Sequence, residues 1–253
     1  MYEREIALAK SADLLVLPEL ALTGYDIPDL EALARLSEPF GEGPTSTWLV
    51  ESAAKYNTTL VCGYSESAGE KFYNSAMVAL PSGELHNYRK IHLYSREKDL
   101  FAHGEERPLV CETPAGKVGV MICFDWFFPE VARCLAIDGA DIIAHPANLV
   151  LPWCQDAMFA RSIENRVYTI TANRIGKESQ AGRTLTFTGR SQVMSTRGVR
   201  LSEAPTDQPH TGLAKIELDE ASNKRINAHN DLFEDRKPGQ YASISGKETF
   251  PAS

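Results

Sequence analysis

Short apolar runs of strand length alternate along this chain with amphipathic stretches of helical period, and that alternation restricts it to an α/β layered domain. LLVLP, between Asp13 and Glu19, reads as a buried strand. Strands are also expected at 59–66 (TLVCGYSE), 74–81 (NSAMVALP), 84–93 (ELHNYRKIHL), 116–123 (GKVGVMIC), 141–147 (DIIAHPA) and 167–176 (VYTITANRIG), with a hairpin turn at Ser82-Gly83. Helices are expected over 44–55, started by Pro44 and Thr45, over 129–140, ended by Gly139, and over 154–166, where Met158, Phe159 and Ile163 fall on one side. Residues 3–11 look like the end of another helix. From 183 to 218 the pattern turns β-rich in TLTFTG, SQVMSTRGVRL and GLAKIEL, with a turn at Arg197-Gly198, and the tail after about 223 is polar and irregular. Nothing in 1–253 reads as a linker, so a single domain is expected, with 223–253 as its C-terminal tail.

The 253 residues carry a net charge of −8 and no segment concentrates Lys and Arg, which disfavours a nucleic-acid partner. No apolar run reaches membrane-span length: Pro18 and Glu19 break one, and His145, Pro146 and Asn148 break another. MYEREIALAK has no apolar signal core, so a cytoplasmic protein is expected. The cysteines are Cys62, Cys111, Cys123, Cys134 and Cys154; an odd number with no CxxC pair supports neither a disulfide scaffold nor a structural zinc site. Four of them read as small buried hydrophobes.

Cys123 is the exception. The strand GVMI runs straight into it, and a helix begins near Pro129 after a short connection, an outline close to a nucleophile elbow. A thiol on such a connection stands above the sheet among free N–H groups, and Trp126, Phe127 and Phe128 crowd the same stretch. Two other positions carry less weight alone. Glu19 ends its strand, where open α/β sheets place their chemistry, yet a solvated turn acid has the same appearance. Lys90 lies on the polar side of the alternation Tyr88, Lys90, His92, which an ordinary surface strand would also give.

LPELALTGY (17–25), YRKIHL (88–93) and GVMICFDWFFPE (119–130) together resemble the three signature stretches of the carbon–nitrogen hydrolase (nitrilase) superfamily, in order and rough spacing. HPANLVLP (145–152), SIENRVYTITANRIG (162–176) and NDLFEDRKPGQY (230–241) are similar to its later segments, so the likeness spans nearly the whole chain. The resemblance implies a four-layer αββα sandwich. It implies a Glu–Lys–Cys triad at Glu19, Lys90 and Cys123, with Glu97 as the second glutamate of many members. It implies no metal and no organic cofactor, and a homo-oligomer, commonly a dimer whose C-terminal tail reaches the partner. Family members usually carry a strand and most of a helix ahead of the Glu stretch; only eighteen residues precede Glu19 here, so the family's first strand is expected to be missing.

The residue types suit the implied chemistry. A carboxamide is a poor electrophile, and a thiolate is a strong nucleophile. Glu19 would accept the thiol proton, Lys90 and the N–H of Phe124 would face the oxyanion, and Glu97 would hold Lys90 or Glu19. The stretch after Cys123 is more similar to the amidase and carbamoyl-amide branches than to true nitrilases, which usually carry Trp-Glu there. Trp126 is a candidate apolar wall, Asn148 a polar anchor and Tyr25 a further pocket residue, while Arg161 and Arg174 are better read as partners of acids. The expected function is hydrolysis of a small linear amide through a thioester. The alternatives are an N-carbamoyl amidohydrolase, a nitrilase, a Cys–His hydrolase and a non-catalytic binding protein of the same fold.

Overall fold

The computed structural model describes residues 6–7, 12–180 and 182–245. Its chain divides into two compact units, Met1–Ser222 and Asn223–Ser253. The first unit runs β1 (Leu14–Val16), α1 (Leu30–Leu36), α2 (Pro44–Tyr56), β2 (Thr59–Ala68), β3 (Lys71–Ala79), β4 (Leu85–Arg89), α3 (Glu97–Leu100), β5 (Val110–Thr113), β6 (Gly116–Val120), a 3-10 turn (Cys123–Phe127), α4 (Pro129–Ile137), β7 (Ile142–Ala147), α5 (Cys154–Asn165), β8 (Tyr168–Asn173), β9 (Lys177–Gln180), β10 (Arg183–Thr186), β11 (Gln192–Met194), β12 (Arg200–Glu203) and α6 (Leu218–Ser222). In the second, Arg225 bridges Asp231 and Pro238–Gln240 make a 3-10 turn.

Two sheets form the middle layers. One has the order β1-β2-β3-β4, the other β12-β11-β8-β7-β6-β5. β6, β7 and β8 run parallel, as two connections carrying α4 and α5 require. β1 and β2 pack against β7, and β1 also against β8, so the sheets face each other. α1 and α2 cover the outside of the first sheet, α4 and α5 that of the second. This is the αββα sandwich. β1 pairs with β2 alone, so among the described residues it is the edge of its sheet; Leu14 and Leu15 are accordingly half-buried rather than buried.

Several expectations shift at their ends. β3 starts three residues early, and the strand expected over 84–93 stops at Arg89, leaving Lys90 just beyond it. GLAKIEL is not a strand: 212–217 lack regular structure and Leu218 opens α6. On α5 the expected apolar side splits, with Met158 buried and Phe159 and Ile163 exposed. Cys134 is exposed, unlike Cys62, Cys111 and Cys154. The helix end expected over 3–11 lies outside the described residues except at Ile6 and Ala7, where the chain is helical; Ile6 is buried among Leu17, Leu49 and Leu60.

Beyond β1 the chain stays bound to β2. Leu17 N–H donates to the Val61 carbonyl (2.7 Å), Gly63 N–H to Pro18 (3.1 Å) and Ala21 N–H to Gly63 (2.9 Å). The approach is so close that a Cβ on Gly63 would lie 2.4 Å from Glu19 Cα and 2.7 Å from Leu20 N. A glycine inside a strand marks such a crossing, and here it presses the Glu19 backbone against the sheet.

Candidate active site

Glu19 sits just past β1, and the next residue, Leu20, has φ +44°. A non-glycine residue in the left-handed region costs about 1 kcal/mol or more, so its surroundings must hold it there. They do. Asn148 Nδ2 donates to the Glu19 carbonyl (2.8 Å), and Arg174 donates to the Leu20 carbonyl (3.1 Å) and to Asn148 Oδ1 (2.8 Å). The backbone is clamped, and the Glu19 side chain is fully buried.

Lys90 meets it there. Its ammonium lies 2.7 Å from Glu19 Oε1 and 2.9 and 2.8 Å from the two oxygens of Glu97. Lys90 is wholly buried and Tyr88 is buried beside it, so these two side chains turn inward rather than to solvent, while His92 is half-buried. Burial alone would depress the Lys90 ammonium, but the adjacent Glu19 and Glu97 charges outweigh it and hold the ammonium above the usual lysine range. Burial lifts the Glu97 carboxyl against the pull of Lys90, with the Glu19 charge adding to the rise. Tyr25 donates its hydroxyl to Glu97 Oε1 (2.6 Å). Asn74 Nδ2 donates to Glu19 Oε1 (2.7 Å) and reaches Glu97 Oε2 at 3.5 Å. The second Glu19 oxygen, Oε2, is buried with no hydrogen-bond partner.

Cys123 opens the 3-10 turn with φ +42°, the second left-handed non-glycine residue of the site. Asp125 locks this elbow. Its buried carboxylate accepts from Ile122 N–H (2.9 Å), Tyr88 OH (2.8 Å) and His92 N–H (3.0 Å), with His92 Nδ1 at 2.9 Å. His145 Nε2 lies 2.9 Å from the Cys123 carbonyl, so the imidazole braces the backbone of this cysteine. A carbonyl can only accept, which puts the proton on Nε2 and leaves Nδ1 to face Thr171 Oγ1 (3.1 Å). Burial pushes the thiol well up, the Glu19 charge adds to the rise, and Lys90 opposes it. The sulfur is therefore a thiol at rest, with Glu19 the strongest charge acting on it.

Sulfur, carboxylates and ammonium are thus brought together from four separate stretches. The expected pocket residues fall differently. Trp126 is buried and its carbonyl accepts from Arg161. Phe124 is half-buried in an aromatic group with Tyr94, Phe127 and Phe128. Tyr25 and Asn148 spend their side chains on Glu97, Glu19 and Arg174. Arg161 pairs with Glu164 and Arg174 with Glu178, as expected. Asn74, Asp125 and His145 escape a sequence reading; only Asp125 left a signal, an acid two residues past the thiol. Among the described residues, no group of three or more His, Cys, Asp or Glu is placed to hold a metal ion, and no helix is long and apolar enough to cross a membrane.

Burial pushes the His145 imidazole down to about 4, from 6.5 when free. Its folded value lies below its unfolded one, so its contribution is intact above pH 6.5 and is lost as pH falls toward 4. The loss amounts to about 3 kcal/mol across that window. His145→Gln keeps a donor for the Cys123 carbonyl but cannot titrate. Thermal melts at about pH 7 and about pH 4.5 are expected to show a smaller acid penalty in this variant than in the wild type; equal penalties would contradict the assignment.

A fold of two facing sheets with a buried thiol, acid and ammonium between them defines a class of hydrolase, and comparison with known proteins identifies the family. Residues 3–226 match the model of the carbon–nitrogen hydrolase family. The "Nitrilase" of Pyrococcus abyssi is 46% identical over 93% of this chain and 88% of its own length. A crystal structure of a carbon-nitrogen hydrolase from Helicobacter pylori G27 superposes with a TM-score of 0.86 at 26% identity, covering 96% of this chain and 89% of that one. A mutant of the amidase from Nesterenkonia sp. AN1, showing the result of Michael addition of acrylamide at the active site cysteine, superposes with a TM-score of 0.77 at 25% identity, over 95% and 90% of the two chains. The chain belongs to the carbon–nitrogen hydrolase family.

Proposed function

We propose that this enzyme hydrolyses small linear carboxamides through a thioester on Cys123. The observation that carries the reading is Glu19 Oε2, a buried carboxylate oxygen without a partner whose charge is the strongest acting on the Cys123 thiol. Glu19 Oε2 takes the thiol proton as sulfur bonds to the carbonyl carbon, and the carbonyl electron pair moves to oxygen. Lys90 faces that oxyanion. Glu19 returns the proton to the amide nitrogen, the C–N bond breaks and ammonia leaves. Water, deprotonated by Glu19, then attacks the thioester carbon; the C–S bond breaks and the acid departs with the sulfur reprotonated. Glu97 and Tyr25 hold Lys90 in place. The Nesterenkonia amidase, with its modified active site cysteine, supports a nucleophilic role for Cys123. His145 contacts the cysteine through its carbonyl, which speaks against a Cys–His pair.

The Pyrococcus abyssi relative named a nitrilase motivates a second reading, with nitriles as substrates. A panel of short aliphatic amides, N-carbamoyl amines and nitriles separates them. Primary amides are expected to release ammonia fastest, without carbon dioxide. Fastest turnover of nitriles, or carbon dioxide formed alongside ammonia, would redirect the assignment. Exposed Ile137, Trp153, Phe159 and Ile163 on and beside α4 and α5 favour burial of that face by a second copy of this chain.

A further inference from the structure

We infer that Asn74 is a positioning residue that lets Lys90 leave Glu19 during the reaction, an inference resting on the amide-hydrolysis reading above. An ammonium has only three N–H donors. Lys90 directs them at three carboxylate oxygens, Glu19 Oε1 and both oxygens of Glu97. To face an oxyanion, Lys90 must surrender one of these bonds. Releasing Glu19 Oε1 inside a site shielded from water would cost the full penalty of an orphaned charged acceptor unless another donor stayed behind.

Asn74 is that donor. Its Nδ2 lies 2.7 Å from Glu19 Oε1, the same distance as the Lys90 ammonium, and the side chain is fully buried. It stands in β3, paired through Ser65 to β2, so it cannot follow Lys90 when Lys90 moves. Its own carbonyl accepts the Lys90 backbone N–H (2.9 Å), so one residue anchors the Lys90 main chain and shares its side-chain partner. The arrangement also sorts the two oxygens of Glu19. Oε1 is held by two donors, and Oε2 is left open to the proton. A neutral amide fits this position, because a second cation would hold the carboxylate too firmly and an acid would repel it.

Asn74→Leu removes the donor at nearly constant volume. It is expected to lower kcat on a short primary amide by about 10²-fold with KM within about twofold of wild type, while the melting temperature shows a folded protein. Asn74→Ala, a smaller change, is expected to give the same split and serves where the leucine variant does not fold. A purely structural Asn74 would instead lower the melting temperature and leave kcat intact, or raise KM as kcat falls, and either result overturns the inference. Full-rate Asn74 variants beside an active wild type and a silent Cys123→Ala overturn this inference alone. A wild type without turnover, or turnover surviving in Cys123→Ala, overturns the reading beneath it.

Discussion

Replacing Cys123 by alanine is expected to lower ammonia release from a short primary amide by at least ~10⁴-fold, because the removed atom is the one that bonds to substrate. The fold should survive. The elbow is held by the Asp125 carboxylate and by the His145 contact to the Cys123 carbonyl, and neither uses the sulfur. A melting temperature close to wild type with no measurable turnover is therefore the expected pair of results. Undiminished turnover in a folded Cys123→Ala protein would remove the covalent step.

Lys90→Met is expected to damage both stability and activity. The methionine fills a similar volume but leaves Glu19 and Glu97 buried without their counter-charge. Breaking one side of a buried ion pair costs about 3–5 kcal/mol, which for a chain of this size lowers the melting temperature by about 10 °C. Activity should fall by a further ~10²–10³-fold beyond any unfolded fraction, since the oxyanion loses its cation. Calorimetry and steady-state kinetics on the folded fraction separate the two effects. A Lys90→Met protein as stable as wild type would contradict the buried pairing of Lys90 with Glu19 and Glu97.

The strands and the positions of Glu19, Lys90, Glu97 and Cys123 were legible in the sequence for different reasons. Strands such as IIAHPA announce themselves because both faces are covered, which leaves a near-continuous apolar run. The thiol stood out by itself, at the end of a strand with a helix close behind it; the acid and the ammonium became legible only beside it, through resemblance to one family, since singly each has a plain structural reading. The burial of Lys90 was not legible, because the alternation Tyr88–Lys90–His92 looks the same whether its polar face meets water or a second sheet. Asn74 was hidden for a related reason. NSAMVALP is an ordinary buried strand, and nothing in it shows that its first residue opposes two carboxylates distant in the chain. GLAKIEL misled in the other direction, since its alternation suits a strand but no neighbouring strand pairs with it among the described residues.

The proposed chemistry depends above all on a covalent bond between the substrate carbonyl and Cys123. Rapid acid quench during turnover of a short primary amide, followed by peptide mass spectrometry, reads that bond directly. An acyl mass on the peptide containing Cys123, lost again as substrate is exhausted and absent from Cys123→Ala, is the expected result. Ammonia release with every cysteine unmodified throughout, or an acyl group carried by another residue, would contradict it.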